Sequence, residues 1–340
     1  MRALRLLAAS VMLSSLLGLA ACGGGYGGGG GNLPVAAAAS KLFAADSTHS
    51  VIGSLANPDP ATGSLAVDRV IGPTPPYFYN YAGFSMNIGS LALDTTRDYL
   101  YVGNGTSILV FHGASMANGD LFTNATIGPI GNTGSMFLDA ANDRLYVGDD
   151  NTDVKVFSGA STASGTPTPR HITGMTLPIH GVAVDTGRNI LYVSNDTTTP
   201  SLSHQISVFD NADTVTTAAP NRTITPTVST VNQPVGGISL DATHNALYVA
   251  PGSSGNGIMV FSTASTADGP IAPAKTLTIT SAPGILSVLV DSVNDRLYAV
   301  GSNGHIYLVE AASTLSSGAA TAKDASLSNG GMLTAVTVNP

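Results

Sequence analysis

The chain has 340 residues with 13 basic and 21 acidic side chains, and only 10% of it is charged. No basic block stands anywhere along it, which argues against nucleic acid as a partner. Gly (39) and Pro (19) are abundant and Glu310 is the only Glu, a composition that favours many short strands joined by turns over helices.

Arg2 and Arg5 open a targeting segment. An apolar stretch from Leu6 to Ala21, broken only by Ser10, Ser14, Ser15 and Gly18, ends in Leu19-Ala20-Ala21-Cys22. At about 16 residues it falls short of the ~20 that a spanning helix needs. The order of basic start, apolar run and small residues before a Cys resembles the lipobox of bacterial lipoproteins. That resemblance implies a signal peptide over 1–21 and a lipidated thiol at Cys22. Cys22 is the only Cys, so the fold stands without an intramolecular disulfide. Gly23 to Gly31 is Gly except for Tyr26, so 22–40 reads as the lipidated Cys and a flexible tether. A triacylated terminus holds a membrane firmly. Gly23 after the Cys, rather than Asp, resembles outer-membrane sorting in a Gram-negative cell. The expectation is an exported, membrane-anchored protein whose folded part is 41–340.

That part begins with three short strand-like runs, Lys41–Asp46, Ser50–Leu55 and Arg69–Ile71. The segment from Pro73 to Asn87 then gathers Tyr77, Phe78, Tyr79, Tyr81 and Phe84. Five repeats follow: LALDTTRDYLYVG from Leu91, MFLDAANDRLYVG from Met136, VAVDTGRNILYVS from Val182, ISLDATHNALYVA from Ile238 and VLVDSVNDRLYAV from Val288. Their Asp94, Asp139, Asp185, Asp241 and Asp291 are 45 to 56 residues apart, and an Asp or Asn stands four positions after each. Each unit continues with a second apolar run, such as Ile108-Leu-Val-Phe111 or Ile258-Met-Val-Phe261, then a Ser/Thr/Ala/Gly stretch and a short end strand. Four short strands in such a period mark a propeller blade. The chain closes with Ala335–Asn339, which matches the first strand of a unit.

The expected architecture is therefore all-β: a six-bladed β-propeller with four-stranded blades, its shared blade built from one C-terminal and three N-terminal strands. Such mixed closure removes the open edges that terminal blades would otherwise present. The Leu-Tyr-Val runs followed by an Asn/Asp/Gly loop, together with Ile-x-Val-Phe, resemble the YVTN and NHL families of β-propellers across 41–340. The resemblance implies architecture and no single activity.

Five aligned Asp read either as a ring of ligands or as a turn cap made once per blade. Asp and Asn tolerate left-handed backbone and bond their own turn, which favours the cap. The candidate ligand-binding residues lie at the expected channel mouth: Tyr77, Tyr79 and Tyr81 on the aromatic connection, with His180, Asn195 and His305. Asp149, Asp150 and Asp153 in one loop offer hard oxygen ligands that suit Ca²⁺, though without the EF-hand pattern. The sequence has no G-x-S-x-G elbow, no H-E-x-x-H and no phosphate loop. The preferred reading is a lipid-anchored envelope scaffold that binds a protein, peptide or glycan at its loop face. The alternative is a metal-dependent, lactonase-like hydrolase with its site in the central channel. Those enzymes use a channel Glu, whereas Glu310 follows the third strand of the fifth unit.

Overall fold

The computed structural model describes residues 41–340 apart from 60–62, 66, 73–87, 120, 150–151, 196–203, 217–218, 228–234, 254, 328–330 and 340. All of these described residues fall within the compact unit Ala38–Pro340. Each repeat forms one antiparallel sheet. In blade 1 the strands are Ile88–Asp94, Tyr99–Asn104, Ser107–His112 and Ala125–Ile127, in that spatial order. The other inner strands are Ser135–Asp139, Ile179–Asp185, Ile238–Asp241, Ile285–Asp291 and Leu333–Val338 for blades 2 to 6. Each packs beside its two neighbours, and Leu333–Val338 meets both Ile88–Asp94 and Ile285–Asp291, which closes the ring.

Blade 6 has the expected mixed origin. Its spatial order is Leu333–Val338, Leu42–Asp46, Val51–Leu55 and Arg69–Ile71. Ala44 stands opposite Val336 and Leu42 opposite Val338, with a bulge between Ala45 and Asp46. The first and last described strands of the propeller thus share one ladder.

The cores lie between blades. Phe43 and Ile52 of blade 6 cluster with Leu100 and Phe111 of blade 1, and Tyr146 and Val156 of blade 2 with Leu191 and Phe209 of blade 3. Tyr101, Tyr146, Tyr192, Tyr248 and Tyr298, one in each of blades 1 to 5, are all fully buried. The β-branched and aromatic strands therefore serve as packing between sheets, as their composition suggests. Burial pushes the Tyr248 and Tyr298 hydroxyls up to about 12 and raises Tyr101 and Tyr192 further.

The repeated Asp caps the turn after the inner strand. Asp94 Oδ1 accepts from the Thr96 and Arg97 amides, each at 3.0 Å, and Asp185 Oδ1 from the Arg188 amide at 2.8 Å. The second oxygen takes the side chain three residues on: Arg97 at 2.8 Å, Asn142 at 2.8 Å, Arg188 at 2.7 Å, His244 at 2.7 Å and Asn294 at 2.8 Å. Asp98, Asp143, Asn189, Asn245 and Asp295 all have positive φ, as predicted for the left-handed position. Their side chains do a second job. Asp98 accepts from both the amide and the hydroxyl of Ser115, each at 2.8 Å, which staples the turn to the connection between the third and outer strands. Asp143 holds Ser161 and Asp295 holds Ser313 in the same way.

That connection carries a feature the repeats did not announce. Gly269–Ile271, Gly318–Ala319 and Gly63–Leu65 each run parallel to the outer strand of the preceding blade and extend its sheet to five strands. Gly119 bridges Ile71, and Gly165 bridges Ile127, in the same sense. The five glycines Gly63, Gly119, Gly165, Gly269 and Gly318 all have positive φ. They let the chain turn onto its neighbour where a side chain would strain the backbone. The corresponding connection of blade 3 includes 217–218, which lie outside the described residues.

Candidate functional site: the channel and its mouth

Each inner strand is hydrogen-bonded on one side only and turns its other edge to the axis of the ring. The axis encloses a cavity of about 840 Å³, lined by residues from all six inner strands. Counting five positions back from the turn Asp gives the ring nearest the mouth: Gly89, Gly134, His180, Gly236, Leu286 and Thr334. His180 is exposed there, and so is Leu286. Below them the wall is apolar, with Leu91, Met136, Val182, Ile238, Val288 and Val336.

Hydroxyls on and beside the wall tie one blade to the next. Ser135 Oγ accepts from the Val182 amide at 3.1 Å, and Ser239 Oγ from the Val290 amide at 3.0 Å. Thr334 Oγ1 donates to the Ile88 carbonyl at 2.7 Å, and Ser194 Oγ to the Gly236 carbonyl at 2.8 Å. These bonds satisfy strand-edge groups that no second strand reaches. Packing here is so close that a Cβ on Gly236 would stand 2.6 Å from the Leu286 carbonyl oxygen.

The described residues lining the cavity include no Asp, Glu, Lys or Arg; His180 and His204 are its ionisable side chains. Among the described residues, no group of three or more His, Cys, Asp or Glu is placed to hold a metal ion. Glu310 sits at the opposite end of its strand from the mouth and accepts from Lys323 at 3.2 Å. The donor set of the channel therefore does not fit the divalent metal of a lactonase-like site.

The sequence candidates separate in space. His180 lines the cavity; Asn195 and His305 do not. Asn195 ends the second strand of blade 3 opposite Ile179, fully buried, and neither its amide nitrogen nor its oxygen has a partner among the described residues. It is a buried polar group in the scaffold, closed to any ligand in this conformation. His305 Nδ1 pairs with Asp324 Oδ1 at 2.6 Å and its ring stacks near Tyr307, so it links the third and outer strands of blade 5. Tyr77, Tyr79 and Tyr81 lie outside the described residues, as do Cys22 and Asp150. Asp149 and Asp153 do come together, but around a cation the chain itself supplies. Lys155 Nζ bonds Asp149 and stands 3.5 Å from Asp153, whose carboxylate also takes His171 at 2.6 Å. An ammonium thus occupies the space between the carboxylates that Ca²⁺ would need.

His204, before the third strand of blade 3, lines the cavity and was missed in the sequence. Its only sequence signal is its place at the end of a loop that returns to the mouth.

No protein-family model matches the chain, and no curated protein matches it. Among solved structures, a chain from the crystal structure of a nidogen/laminin complex matches with a TM-score of 0.59 at 14% identity, covering 88% of this chain and 98% of that one. Similarity at that identity bears on architecture, and with the six closed sheets it establishes a six-bladed β-propeller.

Proposed function

We propose that this chain is a non-catalytic binding scaffold, held at the cell envelope by a lipid on Cys22, that engages a protein partner across the loops at the channel mouth. The observation that carries the reading is the contrast between the ends of the ring. Turns at the far end repeat residue by residue, while connections at the mouth range from the two residues Gly105–Thr106 to the long aromatic segment 73–87. Variable loops on a rigid frame are where binding residues concentrate, and aromatic side chains are enriched at such interfaces. The nidogen/laminin neighbour comes from a protein–protein complex, which is consistent with a protein partner.

Two variants test it. Replacing Tyr77, Tyr79 and Tyr81 together by Ala should leave the melting temperature unchanged and abolish crosslinking to a partner in intact cells. Retained crosslinking would place the interface elsewhere. Cys22→Ser should move the protein from the membrane to the soluble fraction; continued membrane association would remove the lipid anchor from the proposal.

A further inference from the structure

The channel itself is a second place where a ligand fits, distinct from the loop face. Its volume of about 840 Å³ lies within the ~300–1,000 Å³ of small-molecule sites. Its chemistry narrows the ligand. The chain carries a net charge of −8, yet the described wall of the cavity has no charged carboxylate, ammonium or guanidinium. An ion entering it would lose hydration and find no counter-charge. A neutral molecule pays no such penalty and gains from the apolar wall of Leu91, Met136, Ile238 and Val288. Hydrogen bonds are available to it as well. Thr334 already donates to a neighbouring blade, whereas Ser135 and Ser239 only accept there and can still donate. Ser90, Ser253, Ser287 and His204 also line the cavity, with the exposed imidazole of His180 at the mouth and backbone groups on the six inner-strand edges. His180 and Leu286 stand in the same ring, one polar and one apolar, and both are exposed.

We infer that the central channel is a binding site for an uncharged small molecule with an apolar body and several hydrogen-bonding groups, entered past His180 and Leu286.

Two dyes with nearly the same skeleton test this on the full chain: neutral phenylnaphthylamine and its sulfonated analogue anilinonaphthalenesulfonate. The neutral dye should bind saturably at one per chain, about tenfold more tightly than the sulfonate, because only the latter must bury a charge. Separate His180→Trp and Leu286→Trp variants narrow the mouth. Both positions are exposed, so their melting temperatures should match the parent, and each should weaken the neutral dye about tenfold by steric exclusion. If one variant fails to fold, the other decides. Equal affinity for the two dyes would overturn the charge argument. Unchanged binding of the neutral dye in a folded Trp variant would show that it sits outside the channel, and the site would be withdrawn. The tyrosine triple variant should leave dye binding intact, which separates this site from the loop-face reading.

Discussion

At the end of the ring that carries the turns after the inner strands, one device recurs in blades 1 to 5, while at the channel mouth it is found at Asp46–Ser50 of blade 6 and the other connections differ in sequence and length. The recurring device has three parts: an Asp that caps the turn, a side chain three residues on that takes its second oxygen, and a left-handed residue that staples the next connection. Arg97 and Arg188 extend it across blades, donating to the Ala140 and Ala242 carbonyls at 3.1 Å. Arg69, Arg170 and Lys275 do the same from the start of outer strands, reaching carbonyls at Ser115, Ala212 and Ala312. The lesson is that the far end holds the ring with one repeated set of polar side chains, whereas the mouth uses scattered ones, Ser135, Ser194, Ser239, Thr334 and Asp46, between connections that vary.

The comparison can be broken most severely at the closure. Deleting Met332 to Pro340 removes the inner strand of blade 6 and opens the ladder with Leu42–Asp46. The expected result is loss of the cooperative unfolding transition by circular dichroism. A truncated protein that still melts like the parent would contradict ring closure through that strand.

Alkaline titration probes the shared core. Tyr248 and Tyr298 keep their protons to about pH 12 in the folded state, whereas an unfolded tyrosine ionises near ~10. A group whose pKa is raised on folding stabilises fully below the unfolded value and loses that contribution as pH rises through the folded one. Stability should therefore fall between about pH 10 and 12, with tyrosinate absorbance appearing together with loss of β-sheet signal. Tyrosinate that forms while the sheet signal persists would show that these hydroxyls are open to water.

Next come the caps. Asp46, fully buried in the closing blade, accepts from the Thr48 and His49 amides and pairs with His49 at 2.7 Å. Asp46→Ala should cost roughly 2–3 kcal/mol, since a buried carboxylate site loses several donors at once. Asp94→Ala, at an ordinary turn, should cost about 1–2 kcal/mol. Urea denaturation measures both, and equal costs would mean the closing blade is not special.

The smallest effect sharpens the packing argument. Tyr146 donates to the Ala212 carbonyl at 3.2 Å, while the buried Tyr101 hydroxyl has no partner among the described residues. Tyr146→Phe should lose about 1 kcal/mol, and Tyr101→Phe should be neutral or slightly stabilising, because it removes an unpaid desolvation. A larger loss at Tyr101 would reveal a bond to solvent.

Much of the frame was legible in the repeats. Alternating apolar residues, an Asp at each turn and matching fragments at the two ends were enough for blade number, strand number and the mixed closure. The left-handed positions followed from Asp and Asn at one fixed offset. The parallel extension between blades was not legible. Its signal is one Gly in each of five low-complexity stretches, and nothing local says that such a Gly must pair with a strand 38 to 48 residues away, or, for Gly63, with Ala325 near the other end of the chain.

The candidate site divided for a similar reason. His180 could be placed at the mouth because its offset from Asp185 is fixed by the strand. Whether Asn195 faced ligand or core depended on which sheet face met blade 2, and Asp149 and Asp153 looked like cation ligands until Lys155 was seen folded back between them. Sequence periodicity determined the blades, because side-chain alternation and turn chemistry act over a few residues. The uncharged channel, the pairing across blades and the burial of each polar group were decided by the closed ring, because they depend on distances between residues that no short-range pattern encodes.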